Sequence, residues 1–572
     1  MSQILIKNGY VYDPLNNVKG DVMDIGVKNG KIVDPSEIDL RQAIVIDAKG
    51  KIVMPGGIDI HSHIAGPKVN TGRLIRPEDH YLTNIPHRLP ERRAQTGRTV
   101  PNVFKIGYGY AEMGYTFVAE PASPPLKTRH THEELNAIPM IDKLTYIIVD
   151  SYWIVLDLIQ EGDKDRLAAF LGWLLYTTKG YALKLVDPCS DVAWILGKKG
   201  LDLDEQVPGY NITPRDVIKA IGEASQALNL PHPIHVHCNK LGHPGNYIIT
   251  INTMNLAKDF ARREEVSMHI THVQFTGYKG DSWTTLESGG EDIAKTLNKT
   301  IYVSLDMGQI IPGAPATTMT GDAPFEYILY HLTRWKWCFA DVEAEGAAGI
   351  VPYRYRKKNY VNTIQWTIGL EVMLLAKNLW RVYLTTDHPN GGPFTEYPKV
   401  ISWLVSKKAR EDMMKGMSQR AVKKTALPAI DRELTLYDIA IITRASPAKL
   451  LGIEKEKGHL GIGADADIVI YDLDPTKVDI SKDYEKVIRA FRRAYYTIKD
   501  GEIIVKEGEI IKTVYGRTYY VNPEIPEDLR NDIEKYAKEK FKQYYSVSLD
   551  RYIIDVSELK KSKEIKVKTM LR

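Results

Sequence analysis

Cysteine is scarce in this 572-residue chain: Cys189, Cys238 and Cys338 are its only three, far apart and without a CxxC pair. That excludes a disulfide framework and an iron–sulfur cluster held by this chain alone. No GxGxxG fingerprint follows a strand-like run, so no nicotinamide or flavin site is expected. An excess of one charge is lacking too, with 76 Lys and Arg against 72 Asp and Glu. The chain therefore has no global footprint for nucleic acid, and no RNA-binding or helix-turn-helix signature replaces one. Long apolar runs are missing: the most apolar window, "YIIVDSYWIVLDLI", is broken by Asp150 and Asp157. The start, "MSQILIKNGYVYD", has neither the basic nor the apolar region of a signal peptide. The expectation is a soluble, cytoplasmic protein without membrane insertion.

What is present is a 44% hydrophobic composition, enough for one large core and a smaller second unit. Abundant Lys, Glu, Ile and Tyr lean toward a thermophilic, archaeal source. The first fifty residues read as short strands and turns, with Asn-Gly hairpin signals at 8–9 and 29–30. The same texture returns in "GADADIVIYDLD", "AYYTIKDGEIIVKEGEII" and "KTVYGRTYYV". The simplest packing joins both ends in one β-sandwich, residues 1–54 and 456–522, around a separate core at 55–455. That core alternates strand-like runs (57–63, 180–186, 233–238, 266–273, 300–306, 380–387) with helical stretches such as "DVIKAIGEASQAL" and "LYDIAIITRASPAKLLG". Such alternation predicts a parallel sheet, open or closed into a barrel, with ample length for eight units. Residues 308–361, rich in Gly, Pro and aromatics, read as a long lid-like loop. Residues 523–572 read as a packed helix followed by a solvated basic tail, "KKSKEIKVKTMLR".

In "GIDIHSH" a period of two puts Asp59, His61 and His63 on one face. On a barrel strand both imidazoles would point inward near its C-terminal end, where such barrels carry their chemistry. Alone, the pair reads equally well as structural. In "GYALKLV" the bulky Tyr181, Leu183 and Leu185 suit an outer face, which leaves Lys184 pointing inward. A lysine there is either the end of an exposed strand or an amine converted by CO2 to a carbamate that bridges two metal ions. Lys179 competes for that role but precedes Gly180 and suits a loop. "PIHVHCN" sets His235, His237 and Asn239 on one face, whereas the odd spacing of His269 and His272 allows only one of them to face inward. "VYLTTDHPNGG" leaves Asp387 at a strand end, followed by His388. The order His, His, Lys, His, His, Asp fits the ends of strands one, four, five, six and eight.

These stretches, with "VMPGGIDIHSH", "TTDHP" and "RASPAKLLGIEKEKGHLGIGADADIVIYD", resemble the amidohydrolase superfamily. The resemblance implies a (β/α)8 TIM-like barrel, a small β-sandwich from both chain ends, and two divalent metal ions. "HVHCNKLGHPGN", "HITHVQFTGY" and "TTDHPNGGPF" are more narrowly similar to the A-subunit family of formylmethanofuran dehydrogenases, over nearly the whole chain. Carried over by motif, His61 and His63 resemble the first metal's ligands, Lys184 the carbamate bridge, and His237 and His272 the second metal's ligands. Asp387 resembles the ligand that doubles as general acid/base, and zinc suits such a nitrogen and oxygen set. Asn239 and His388 are candidates for substrate contact or for supporting the ligands, and structural hydrogen bonding is the competing role for each. The implied reaction is reversible condensation of formate with the amine of methanofuran, beside molybdenum- or tungsten-containing and iron–sulfur subunits. Other readings with the same ligands are a stand-alone cyclic amidase of dihydroorotase or hydantoinase type, the hydrolase component of a formyltransferase/hydrolase complex, and a non-catalytic scaffold.

Overall fold

The computed structural model describes residues 3–76, 99–320, 323–339 and 349–571. Its main body carries eight parallel strands in chain order: Gly57–Asp59, Tyr115–Ser123, Asp142–Ile148, Ala182–Val186, Ile234–His237, Met268–Ile270, Val303–Asp306 and Val382–Tyr383. Each pairs with the next. Beyond the first and eighth, a parallel bridge joins Ser62 to His388, and the His63 N–H donates to the His388 carbonyl at 2.7 Å. The sheet thereby curls into a (β/α)8 barrel.

The second and third strands were not among the expected ones. Every position in both is buried, as in the other six, so no half-exposed alternation marks any barrel strand, and these two also lack a candidate ligand at their ends. The expected helices form at Pro214–Leu228, opened by a Thr213/Asp216 capping box, and across 436–450, where Ile441–Ala445 widens into a π turn. Arg444 on that turn is buried and donates to the Pro55 carbonyl and the Tyr471 hydroxyl, tying the barrel to the second unit.

That second unit is a nine-stranded sheet drawn from both chain ends, with Ile52–Pro55 antiparallel to Ile468–Tyr471 at the seam. Asn29 and Gly30, both at positive φ, make the expected hairpin turn. Asn8-Gly9 does not. The strand Gln3–Asp13 runs through it with a bulge, because Gly9 packs where a side chain would meet Val53 at 2.4 Å.

Three further expectations are corrected. Within "KTVYGRTYYV", Thr518–Glu524 leaves the terminal sheet and pairs with Ser562–Lys568 and, at Lys143, with the third barrel strand. The basic tail is therefore not simply solvated: Ile565 and Val567 alternate with Lys566 and Lys568, a strand period that the charge hides. The 308–361 stretch is not a bare loop. It contains the helix Ala323–Thr333 and a three-stranded antiparallel sheet, Pro315–Thr320, Gly349–Arg354 and Cys338–Phe339. This insertion is tied to the helix Pro67–Ile75 region through Arg76 to the Ala316 carbonyl and Lys336 to the Ile75 carbonyl. The terminal helix Glu527–Tyr544 forms as expected and buries Ile533, Ala537 and Phe541. Among the described residues, no helix is long and apolar enough to cross a membrane.

Candidate metal centre

His61 and His63 lie just past the first barrel strand, and Asp387 lies past the eighth. The barrel closure brings Asp387 Oδ1 to 3.0 Å from His61 Nε2 and 3.3 Å from His63 Nε2. The His272 ring centre is 5.4 Å from that of His61, and the His237 ring 4.5 Å from that of His272. Lys184 is buried mid-strand, in register with His235, and its charge acts on His61, His63, His237, His272 and Asp387. The six residues thus gather at one end of the barrel. Lys179 is elsewhere: its backbone is left-handed, and its amine bonds the Tyr176 carbonyl. Tyr181 faces outward, donating to the Leu451 carbonyl.

The one-inward expectation for His269 and His272 fails, since both imidazoles enter the barrel. His269 bonds Ser304 and Asp306 in a deeper layer. The strand stops at Ile270, and a left-handed backbone at His272 (φ +38°) resets the parity so that its ring also turns in. Asp387 uses the same device at φ +47°. Left-handed non-glycine residues are costly and cluster where function holds them.

A histidine chain fixes the proton on His61. His232 Nδ1 faces the Leu450 carbonyl at 3.1 Å, and a carbonyl only accepts, so the proton sits on Nδ1. His232 Nε2 then accepts from His235 Nδ1 at 3.1 Å, and His235 Nε2 accepts from His61 Nδ1 at 2.8 Å. Burial holds all three well below the usual histidine range, so each is a neutral ring with one proton. The lone pair of His61 is left on Nε2, aimed at Asp387. Glu120 does the same for His63, its Oε1 lying 3.4 Å from Nδ1. Around this wiring, the Thr271 and Thr385 hydroxyls and the His272 N–H donate to Asp306, while Tyr110, Tyr397 and the His61 N–H donate to Asp59. His232, His235, Glu120 and Asp306 were not anticipated as site residues; the period that paired His235 with His237 was the available signal.

The resulting centre has three acceptors, His61 Nε2, His63 Nε2 and Asp387 Oδ1, facing one another with no hydrogen fixed between them. His61 Nε2, His63 Nε2, Lys184 Nζ, His272 Nδ1 and Asp387 Oδ2 are all buried without a hydrogen-bond partner. Buried polar atoms are normally satisfied, and a divalent cation satisfies such a set of nitrogen and oxygen donors. Burial also keeps His63, His237 and His272 neutral, the ligating form, and lowers Lys184 to about 7, so an uncharged amine is accessible near neutrality. Burial pushes Asp387 well above the usual carboxylate range when no cation shares the site. His388 accepts the Phe394 N–H on Nδ1 and Asn239 donates to the Pro188 carbonyl; His388 Nε2 and Asn239 Oδ1 have no partner.

An amidohydrolase family model matches residues 44–505. Protein FwdA of Methanocaldococcus jannaschii is 47% identical over 556 residues, 96% of each chain. The A component of the formyltransferase/hydrolase complex Fhc of Methylorubrum extorquens is 33% identical over 94% of each chain. The crystal structure of that FhcABCD complex with methylofuran contains a chain that superposes with a TM-score of 0.88 at 31% identity, covering 99% of both chains. Barrel and terminal sheet are those of an amidohydrolase, and the chain belongs to that family. Within it, FwdA and FhcA are full-length relatives, which places the chain in the branch resembling the A-subunit family of formylmethanofuran dehydrogenases.

Proposed function

We propose that this chain is the amidohydrolase component of a formylmethanofuran dehydrogenase complex, joining formate to the amine of methanofuran and reversing that step. The observation that carries the reading is the convergence of buried, unpartnered ligand atoms from His61, His63, Lys184, His272 and Asp387 at the strand ends. The likeness to a complex that binds methylofuran supports the substrate class.

His61 and His63 would hold one divalent ion, His237 and His272 a second, with a carbamate on Lys184 between them and Asp387 as a further ligand. Zinc suits these donors. Such a pair supplies Lewis-acid polarisation of a carbonyl or carboxyl oxygen and acidifies a water. Hydrolysis adds water across the formyl C–N bond. Asp387 takes the water's proton on its carboxylate and delivers it to the departing amine nitrogen; in synthesis it carries the proton the other way. The free Nε2 of His388 and Oδ1 of Asn239 are the polar atoms we assign to substrate contact. The redox step, CO2 to formate, belongs in this reading to molybdenum- or tungsten-containing and iron–sulfur partner subunits.

The test is to incubate the metal-loaded protein with N-formylmethanofuran and, separately, with dihydroorotate and hydantoin. Formate release without ring opening is expected. Ring opening without formate release would replace this reading with a cyclic amidase.

A further inference from the structure

Lys68 is a buried cation that the metal chemistry does not use. It follows His63 through a turn at Gly66, whose φ is +97° and where a side chain would meet Thr131 Oγ1 at 2.7 Å. The turn starts the helix Pro67–Ile75 and directs Lys68 inward, leaving it 6% exposed. An ammonium has three N–H donors, yet Lys68 Nζ makes one hydrogen bond, to the Ala122 carbonyl at 2.7 Å.

Ala122, whose carbonyl it bonds, donates its own N–H to Glu120 Oε1, the oxygen 3.4 Å from His63 Nδ1. Lys68 therefore lies beside the centre, and its charge is felt by His63, His237, Lys184 and Asp387. The carboxylates that face it, Glu120, Asp387 and Glu326, make no ion pair with it. Glu120 is committed elsewhere, accepting the Ile64 and Ala65 N–H groups on Oε2 and the Ala122 N–H on Oε1. Two other buried lysines differ, while Lys179, with one carbonyl bond, rests its amine over the Tyr176 and Tyr520 rings. Lys457 lies 2.7 Å from Asp142 and 2.6 Å from Asp467, and Lys143 donates to three backbone carbonyls. Burying a cation without an anion in contact is costly, so two idle donors beside a reaction centre point to an anion that arrives with the substrate.

We propose that Lys68 receives the carboxylate of formate, donating to the oxygen that is retained as the formyl oxygen. A lysine suits this task as a compact charge contacting one oxygen, where an arginine would claim both. This assignment rests on the amide-forming reading above and adds to it the residue that recognises the one-carbon acid.

The test titrates metal-loaded wild type, Lys68→Gln and Lys68→Arg with sodium formate by calorimetry, with metal content and KM values measured alongside. Lys68→Gln should weaken formate binding and raise the KM for formate by about tenfold or more, the loss of one charge-assisted hydrogen bond. The KM for methanofuran and the metal content should stay within twofold of wild type. Lys68→Arg should raise the KM for formate alone by severalfold, and it decides the matter if Lys68→Gln does not fold. Formate affinity unchanged in both variants would overturn the proposal, as would loss of metal in Lys68→Gln, which would assign the lysine to holding the ligands. Formate binding is read without turnover. A protein that binds formate through Lys68 but releases none from N-formylmethanofuran would fault the assigned reaction and leave this site standing.

Discussion

Proton placement at this centre is settled by groups that touch no substrate. The Leu450 carbonyl orients His232, His232 orients His235, and His235 leaves the lone pair of His61 on Nε2. The Thr271 hydroxyl, which donates to Asp306, is a second acceptor 2.7 Å from His61 Nδ1. Replacing His235 with Phe and Thr271 with Val together removes both acceptors that fix this tautomer and should weaken metal binding by about 10- to 100-fold, measured by competition with a chelator. Asp387→Asn keeps an oxygen but loses the proton carrier. We expect it to retain most of the metal and to lose about 10²–10⁴-fold in turnover, checked by metal analysis and formate release on one preparation. A mutant with near-normal turnover would remove Asp387 from the proton-transfer role.

At the scale of elements, all eight barrel strands are buried at every position, and those legible in the sequence were mostly the ones ending in a candidate ligand. The even spacing of His61 and His63 marked a strand end, and that of Tyr181, Leu183 and Leu185 left Lys184 inside. Tyr115–Ser123 and Asp142–Ile148 are buried like the rest but carry no candidate ligand at their ends, so nothing announced them. Parity also misled where the backbone turns left-handed, which is why His269 and His272 both face inward. Proton wiring was illegible because it needs contacts across the barrel, as between His61 and His235. The tail was obscured by charge, although Ile565 and Val567 keep a strand period. Ending the chain at Lys561 removes the partner of Thr518–Glu524 along seven residue pairs. Such a protein should unfold at a lower urea concentration with its metal content unchanged, because the lost strand is not one that carries the metal ligands.

Across the whole molecule, barrel and terminal sheet are locked by a buried ionic cluster. Lys457 contacts Asp142, Asp465 and Asp467, Lys499 contacts Asp142, Asp467 and Asp500, and Arg517 contacts Asp465 and Asp500. Burial alone would raise the Asp142 carboxyl, but Lys457, Lys499 and Arg517 outweigh it and hold the group well below its ordinary value. A carboxylate depressed in the folded state contributes stability that is complete above its unfolded pKa, about 4, and is lost as pH falls toward the folded value. The protein should therefore lose stability below about pH 4. Asp142→Asn removes one of four carboxylates and leaves Lys457, Lys499 and Arg517 with Asp465, Asp467 and Asp500. It should cost about 1–3 kcal/mol by urea denaturation at neutral pH and flatten part of that acid dependence.

In the proposed function, the six side chains brought together by barrel closure would hold two metal ions with a carbamate on Lys184. Native mass spectrometry of the protein loaded with zinc in the presence of CO2, followed by localisation of the added CO2, tests it directly. Two metal ions per chain and one carbamate, on Lys184, are expected, with both reduced in Lys184→Ala. A single metal ion, no carbamate, or a carbamate on Lys179 would contradict it.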